Sequence, residues 1–116
     1  MNYLPSKEVL TEILKENVKE VYEIGSNPNF KDNTLLFNLN GCGELCNINI
    51  YELAHKCKEW AYNDKSLCGY SIELKSYKSE FGYWLCELMS EDITFSGDTE
   101  PEAIFAACQW IIDNRS

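Results

Sequence analysis

Apolar and polar positions along the chain alternate between two periods, and the period changes mark its elements. From Ser6 to about Tyr22, the residues Val9, Leu10, Ile13, Leu14, Val18, Val21 and Tyr22 recur at spacings of three and four. That spacing places them on one face of a helix, with Lys and Glu on the other. Ser6 after Pro5 suits an N-cap, and Gly25-Ser-Asn-Pro28 would stop the helix and open a loop. Thr34 to Leu39 reads as a short strand, with Leu35, Phe37 and Leu39 toward one side, running into a turn at Asn40-Gly41-Cys42-Gly43.

The next helix carries two start signals. Asn49 followed by Glu52 has the spacing of a capping box, and Ile48 with Leu53 forms a hydrophobic staple. The helix runs from Ile50 to about Tyr62, with Leu53, Ala54, Cys57, Trp60 and Ala61 inward. After a connection at Asn63 to Ser66, Tyr70, Ile72 and Leu74 alternate with polar residues as a strand with one solvated face. A second strand is predicted over Phe81 to Met89, apolar in both parities. It is therefore expected to be central, with the first helix on its far side. A third covers Ile93 to Phe95. Thr99 with Glu102 forms another capping box, with Pro101 in the first turn, and the final helix buries Ala103, Ile104, Ala107, Cys108, Ile111 and Ile112.

The expected fold class is α+β: an antiparallel sheet of three or four strands packed with helices, in the order α-(β)-α-β-β-β-α. The 116 residues are expected to form a single domain, with an N-terminal helix and short strand over 1–44 and an α-β-β-β-α module over 45–116. One faint internal echo is present, which two helices docking similarly on one sheet or chance would equally explain, and it is not read as a repeat. Asn49-x-x-Glu52 precedes Trp60 by the interval at which Thr99-x-x-Glu102 precedes Trp110.

Charge changes the picture next. Nineteen acidic residues face ten basic ones, for a net charge of −9. Direct nucleic-acid binding is disfavoured, since holding a phosphate backbone needs a positive surface. Eight acids (Glu80, Glu87, Glu91, Asp92, Asp98, Glu100, Glu102 and Asp113) and one base, Arg115, lie between Ser79 and Ser116. This concentration suggests an acidic face of Glu80, Glu87, Glu91, Asp92, Asp98, Glu100 and Glu102 that meets a basic partner. Solubility alone is the competing account. The hairpin aromatics Tyr70, Tyr77, Phe81, Tyr83 and Trp84 are read mostly as core and rim packing.

Candidate chemistry is sparse. Of the six cysteines, Cys42 and Cys46 have metal-ligand spacing but lack a second pair, so they are weak zinc candidates. Cys57, Cys86 and Cys108 read as small buried hydrophobes. There is one His, His55, no phosphate-binding Gly-rich loop and no nucleophile elbow. No enzymatic activity and no cofactor are expected. The start of the chain has neither the basic nor the apolar region of a signal peptide. The longest apolar run, Ala103 to Cys108, is too short to span a membrane. A cytoplasmic protein is the resulting expectation.

The run Ile48 to Ala61, the hairpin with Gly82-Tyr-Trp84, and Thr99-Glu-Pro-Glu-Ala-Ile104 before an Ala-rich helix resemble the phage ABA sandwich domain family. The resemblance covers about residues 45 to 114 and brings no catalytic residues. It implies a small phage or prophage accessory protein working in the host cytoplasm. The expected function is a non-enzymatic acidic module that docks on a basic host protein, such as a nucleic-acid-binding effector, in the manner of an anti-CRISPR counter-defence inhibitor. The alternatives are a structural or homo-oligomeric accessory domain, including a homodimer, and a Cys-based metal- or ligand-binding protein.

Overall fold

A computed structural model of the chain describes residues 4–24, 33–41, 43–64, 69, 71–89 and 91–115. Helix α1 covers Lys7–Leu14 and is followed by β1 (Val18–Ile24), β2 (Thr34–Leu39) and β3 (Leu45–Asn49). Helix α2 covers Ile50–Asn63, then come β4 (Leu74–Lys78), β5 (Trp84–Leu88), β6 (Ile93–Gly97) and α3 (Glu100–Asn114). The strands form two antiparallel three-stranded sheets, ordered β1-β2-β3 and β4-β5-β6. The fold class is α+β as expected, but with two sheets rather than one.

The first helix is shorter than the sequence predicts. Lys15 adopts φ 58° and closes α1, its N–H donating to the Thr11 carbonyl at 3.0 Å. Val18 and Val21 then face inward from β1, not from a helix. Their spacing of three arises because the β1–β2 register is irregular between Val18 and Glu20. A bulge of this kind breaks the two-residue alternation and imitates helical spacing. The predicted loop at Gly25 to Pro28 lies outside the described residues.

In β2, Leu35 and Phe37 join the core as expected, while Thr34 and Leu36 are also buried on the other parity. Strand β3 was not predicted; its short uncharged run contains Asn47 and Asn49, residues that favour turns. Asn49 ends β3 and caps α2, its Oδ1 accepting from the Tyr51 and Glu52 amides at 2.8 and 3.2 Å. Strand β4 begins at Leu74, later than the alternation implied; Ile72 is buried just before it, and Tyr70 lies outside the described residues.

Strand β5 is central, but only one of its faces is covered. Cys86 and Leu88 are buried beneath the helices, whereas Tyr83 and Met89, at its two ends, are exposed. Helix α1 does not cover this far side. It packs on β1, α2 and α3, while α3 lies across all three strands of the second sheet. One core cluster unites the elements, including Leu10 from α1, Leu35 from β2, Leu53 from α2, Leu88 from β5 and Ile104, Phe105 and Ile111 from α3.

The sequence echo corresponds to a repeated β-β-β-α order. Leu53, Ala54, Cys57 and Ala61 of α2 occupy the same offsets from their cap as Ala103, Ile104, Ala107 and Ile111 of α3, and all eight are buried. Where the two helices meet, the Cys108 thiol lies 3.8 Å from the Cys57 carbonyl oxygen.

Candidate protein-docking surface

Strand alternation gives the second sheet two unlike faces. Leu74, Cys86 and Leu88 point toward the helices, so Lys75, Tyr77, Leu85, Glu87, Thr94 and Ser96 point away from them. The register sets Leu85 between Tyr77 and Ser96, and Glu87 between Lys75 and Thr94. The Tyr77 hydroxyl donates diagonally to Glu87 Oε1 at 2.8 Å, and this bond to a carboxylate raises the phenol pKa.

Of the hairpin aromatics, Trp84 packs against the core as expected and Tyr70 lies outside the described residues, but the other three are exposed, contrary to expectation. Phe81 is 78% exposed, Tyr83 40% and Tyr77 36%. Phe81 sits in the β4–β5 turn, where the Gly82 N–H donates to the Ser79 carbonyl at 3.2 Å and Gly82 takes φ 96°, a conformation glycine adopts without strain. Its ring lies nearly parallel to Tyr83, with centroids 6.4 Å apart. Single-chain alternation hides this exposure, because turns hold Phe81 and Tyr83 beyond the ends of the strands.

The seven predicted acidic residues do not share one face. Glu80, Asp98 and Glu100 cluster at the end of the sheet marked by the Trp84–Gly97 pair, and Glu91 and Asp92 lie in the β5–β6 turn at the opposite end. Glu87 stands between them on the open face. Glu80, Glu91, Asp92 and Asp98 are exposed. Glu100 is half-buried and accepts from the Ser76 hydroxyl at 2.8 Å, and Ser76 Oγ in turn accepts from Lys58 Nζ at 2.6 Å. This Lys58–Ser76–Glu100 chain ties α2, β4 and α3 together and had no sequence signal.

Glu102 is the clear departure. It is only 8% exposed, and its carboxylate accepts from the Asp98 amide at 3.0 Å. Thr99 Oγ1 accepts from the Glu102 amide at 3.4 Å, so the predicted capping box forms with its returning arm one residue earlier. Glu102 therefore belongs to the helix cap and not to an acidic surface.

The remaining candidates have other settings. Cys57, Cys86 and Cys108 are buried, as expected, and burial pushes the Cys86 thiol up to about 12. Cys46 is half-buried on β3, and Cys42 lies outside the described residues. Among the described residues, no group of three or more His, Cys, Asp or Glu side chains could hold a metal ion. His55 is exposed, with Nε2 2.8 Å from Glu59. A cleft of about 420 Å³ opens where the three helices end, bordered by Glu12, Trp60, Asp64 and Arg115. Arg115 donates to Asp64 at 3.2 Å and to Glu12 at 2.5 Å, with its guanidinium carbon 5.9 Å from the centre of the Trp60 ring. The sole arginine is thus committed to joining α1, α2 and α3. Among the described residues, no helix is long and apolar enough to cross a membrane.

Compared with protein-family models, curated proteins and solved structures, the chain matches none of them.

Proposed function

We propose that this protein is a non-enzymatic protein-binding module that docks on a basic partner surface through its second sheet. The observation that carries this reading is the segment Glu73 to Asp98. Six carboxylates and two lysines decorate a sheet whose helices cover one face, leaving Tyr77, Phe81 and Tyr83 exposed. Aromatic side chains provide rigid contact area, and the acidic ends speed encounter with positive partners. In the phage setting that the sequence resemblance implies, the partner is a basic host protein, and a counter-defence inhibitor of a nucleic-acid-binding effector is the concrete form of the proposal.

Affinity purification from host lysate at low and moderate salt tests it, comparing the wild type with the triple variant Glu91→Lys, Asp92→Lys, Asp98→Lys. A basic protein recovered by the wild type in a salt-sensitive manner, and lost by the triple variant, is the expected result. Identical recoveries by both proteins would reject electrostatic docking.

A further inference from the structure

Strand β6 is an edge, and its backbone polarity can be assigned. Beside the β4–β5 pair, the Met89 amide donates to the Glu73 carbonyl at 3.2 Å and the Ser79 amide to the Tyr83 carbonyl at 2.7 Å. In an antiparallel ladder the bonding residues alternate, so Leu85 and Glu87 bond toward β4. Trp84, Cys86 and Leu88 therefore bond toward β6, where they meet Gly97, Phe95 and Ile93. The N–H and C=O groups of Thr94 and Ser96 are left pointing away from the sheet. Among the described residues nothing bonds them.

Edges of this kind are usually blunted by charge, and β4 at the other side of the sheet carries Lys75 and Lys78. The β6 run Ile-Thr-Phe-Ser-Gly has no charged residue and no proline. The next outward amide, that of Asp98, is occupied by the Glu102 carboxylate, which ends the open stretch at one side. We infer that β6 is a docking rail for an extended, basic-ended strand of a partner protein, which adds to the sheet by antiparallel pairing with Thr94 and Ser96. The inference rests on the protein-binding reading and specifies its mode.

Charge decides the occupant. A second copy pairing antiparallel in the register of fullest overlap would set Asp92 opposite Asp98 twice, and like charges directly opposite one another destabilise a sheet. A strand with basic residues six positions apart would instead meet Asp98 at one end and Asp92 at the other. Its residues opposite Thr94 and Ser96 would share the open face. Those opposite Ile93, Phe95 and Gly97 would extend the half-buried side, where the Phe95 and Trp110 rings stand 6.4 Å apart at 55°. The fitting partner segment alternates polar and apolar residues between two basic ends.

The capped peptide acetyl-Lys-Val-Thr-Val-Thr-Val-Lys-amide, fluorescently labelled, is the probe, read by anisotropy against the full chain. Thr94→Pro and Ser96→Pro remove outward amides that take no part in the β5–β6 ladder, so circular dichroism and the thermal midpoint should stay close to wild type. Each variant is expected to weaken peptide binding at least tenfold. A Glu-ended version of the peptide should fail to bind the wild type. Undiminished binding by both folded proline variants, or no binding of the Lys-ended peptide to the wild type, overturns the rail. Either result leaves the broader acidic-surface reading to be decided by the charge-reversal experiment, so the two failures are distinguishable.

Discussion

Gly97 is where β6 and α3 approach most closely, and replacing it with alanine probes the packing that positions the sheet on its helix. A Cβ at this position would stand 2.7 Å from the Ala103 amide nitrogen and 2.7 Å from Glu102 Cβ. Neither is the free end of a flexible side chain. The backbone of β6 or the first turn of α3 must therefore move. Forcing extra atoms into a packed interior costs about 1–3 kcal/mol, and about 2 is expected here because both obstacles lie at or next to the backbone. With unfolding entropy of about 2.1 cal/mol/K per residue, 116 residues give about 0.24 kcal/mol/K, or about 4 °C for each kcal/mol. Gly97→Ala should thus lower the thermal midpoint by about 8 °C, measured by circular dichroism at fixed protein concentration. The bond from the Asp98 amide to Glu102 should loosen with it, which faster exchange of that amide would report. A midpoint within 1 °C of wild type would refute the close approach.

Two further outcomes follow from buried and paired groups. Arg115→Leu should cost about 1 kcal/mol by releasing Glu12, Asp64 and the face of Trp60, a modest value because the cluster is partly exposed. The hydrogen bond from Arg115 holds the Glu12 carboxyl below its usual 4.5, so its contribution is present above that value and is lost as pH falls through the depressed one. The stability gap between wild type and Arg115→Leu, from urea unfolding, should shrink below about pH 4.5; a gap unchanged down to pH 3 contradicts the assignment. The Cys86 thiol, with its pKa pushed up to about 12, should resist iodoacetamide at pH 8 in the native state and react once urea unfolds the chain. Mass-spectrometric mapping that finds Cys86 labelled natively would show that its surroundings open readily.

Helices α2 and α3 were legible because their signals are local: a cap residue, a carboxylate three positions on, and a clean 3.6-residue stripe. Their shared cap-to-Trp interval was visible too, but the β-β-β-α order it accompanies was not, because two of the strands went unread. Strand β1 was not legible, because its bulge gives Val18 and Val21 the spacing of a helix. Strand β3 was too short and too rich in asparagine to separate from a turn. The acidic residues were visible as a composition, but their grouping was not. Whether Glu102 faces water or reaches back to Asp98 depends on how close β6 comes to α3, and no one-dimensional pattern records that distance. The exposure of Phe81 and Tyr83 was hidden because alternation does not show where the strand gives way to the turn, and both lie before β5 begins.

The order of strand pairing also bears on how the chain reaches this state. Every strand pairs with its neighbour in sequence, so each ladder closes over a short span and costs little loop entropy. The longest ties join opposite ends of the described chain: Ser6 to Gln109 and Glu12 to Arg115, each spanning 103 positions. Both bring α1 to α3, and neither can form until the intervening chain has folded enough to bring its ends together. The two meanders are therefore made of local contacts, whereas the contacts that seat α1 span nearly the whole described chain. A short helix, held by one serine and one arginine clamp, thus joins the two ends of the described chain.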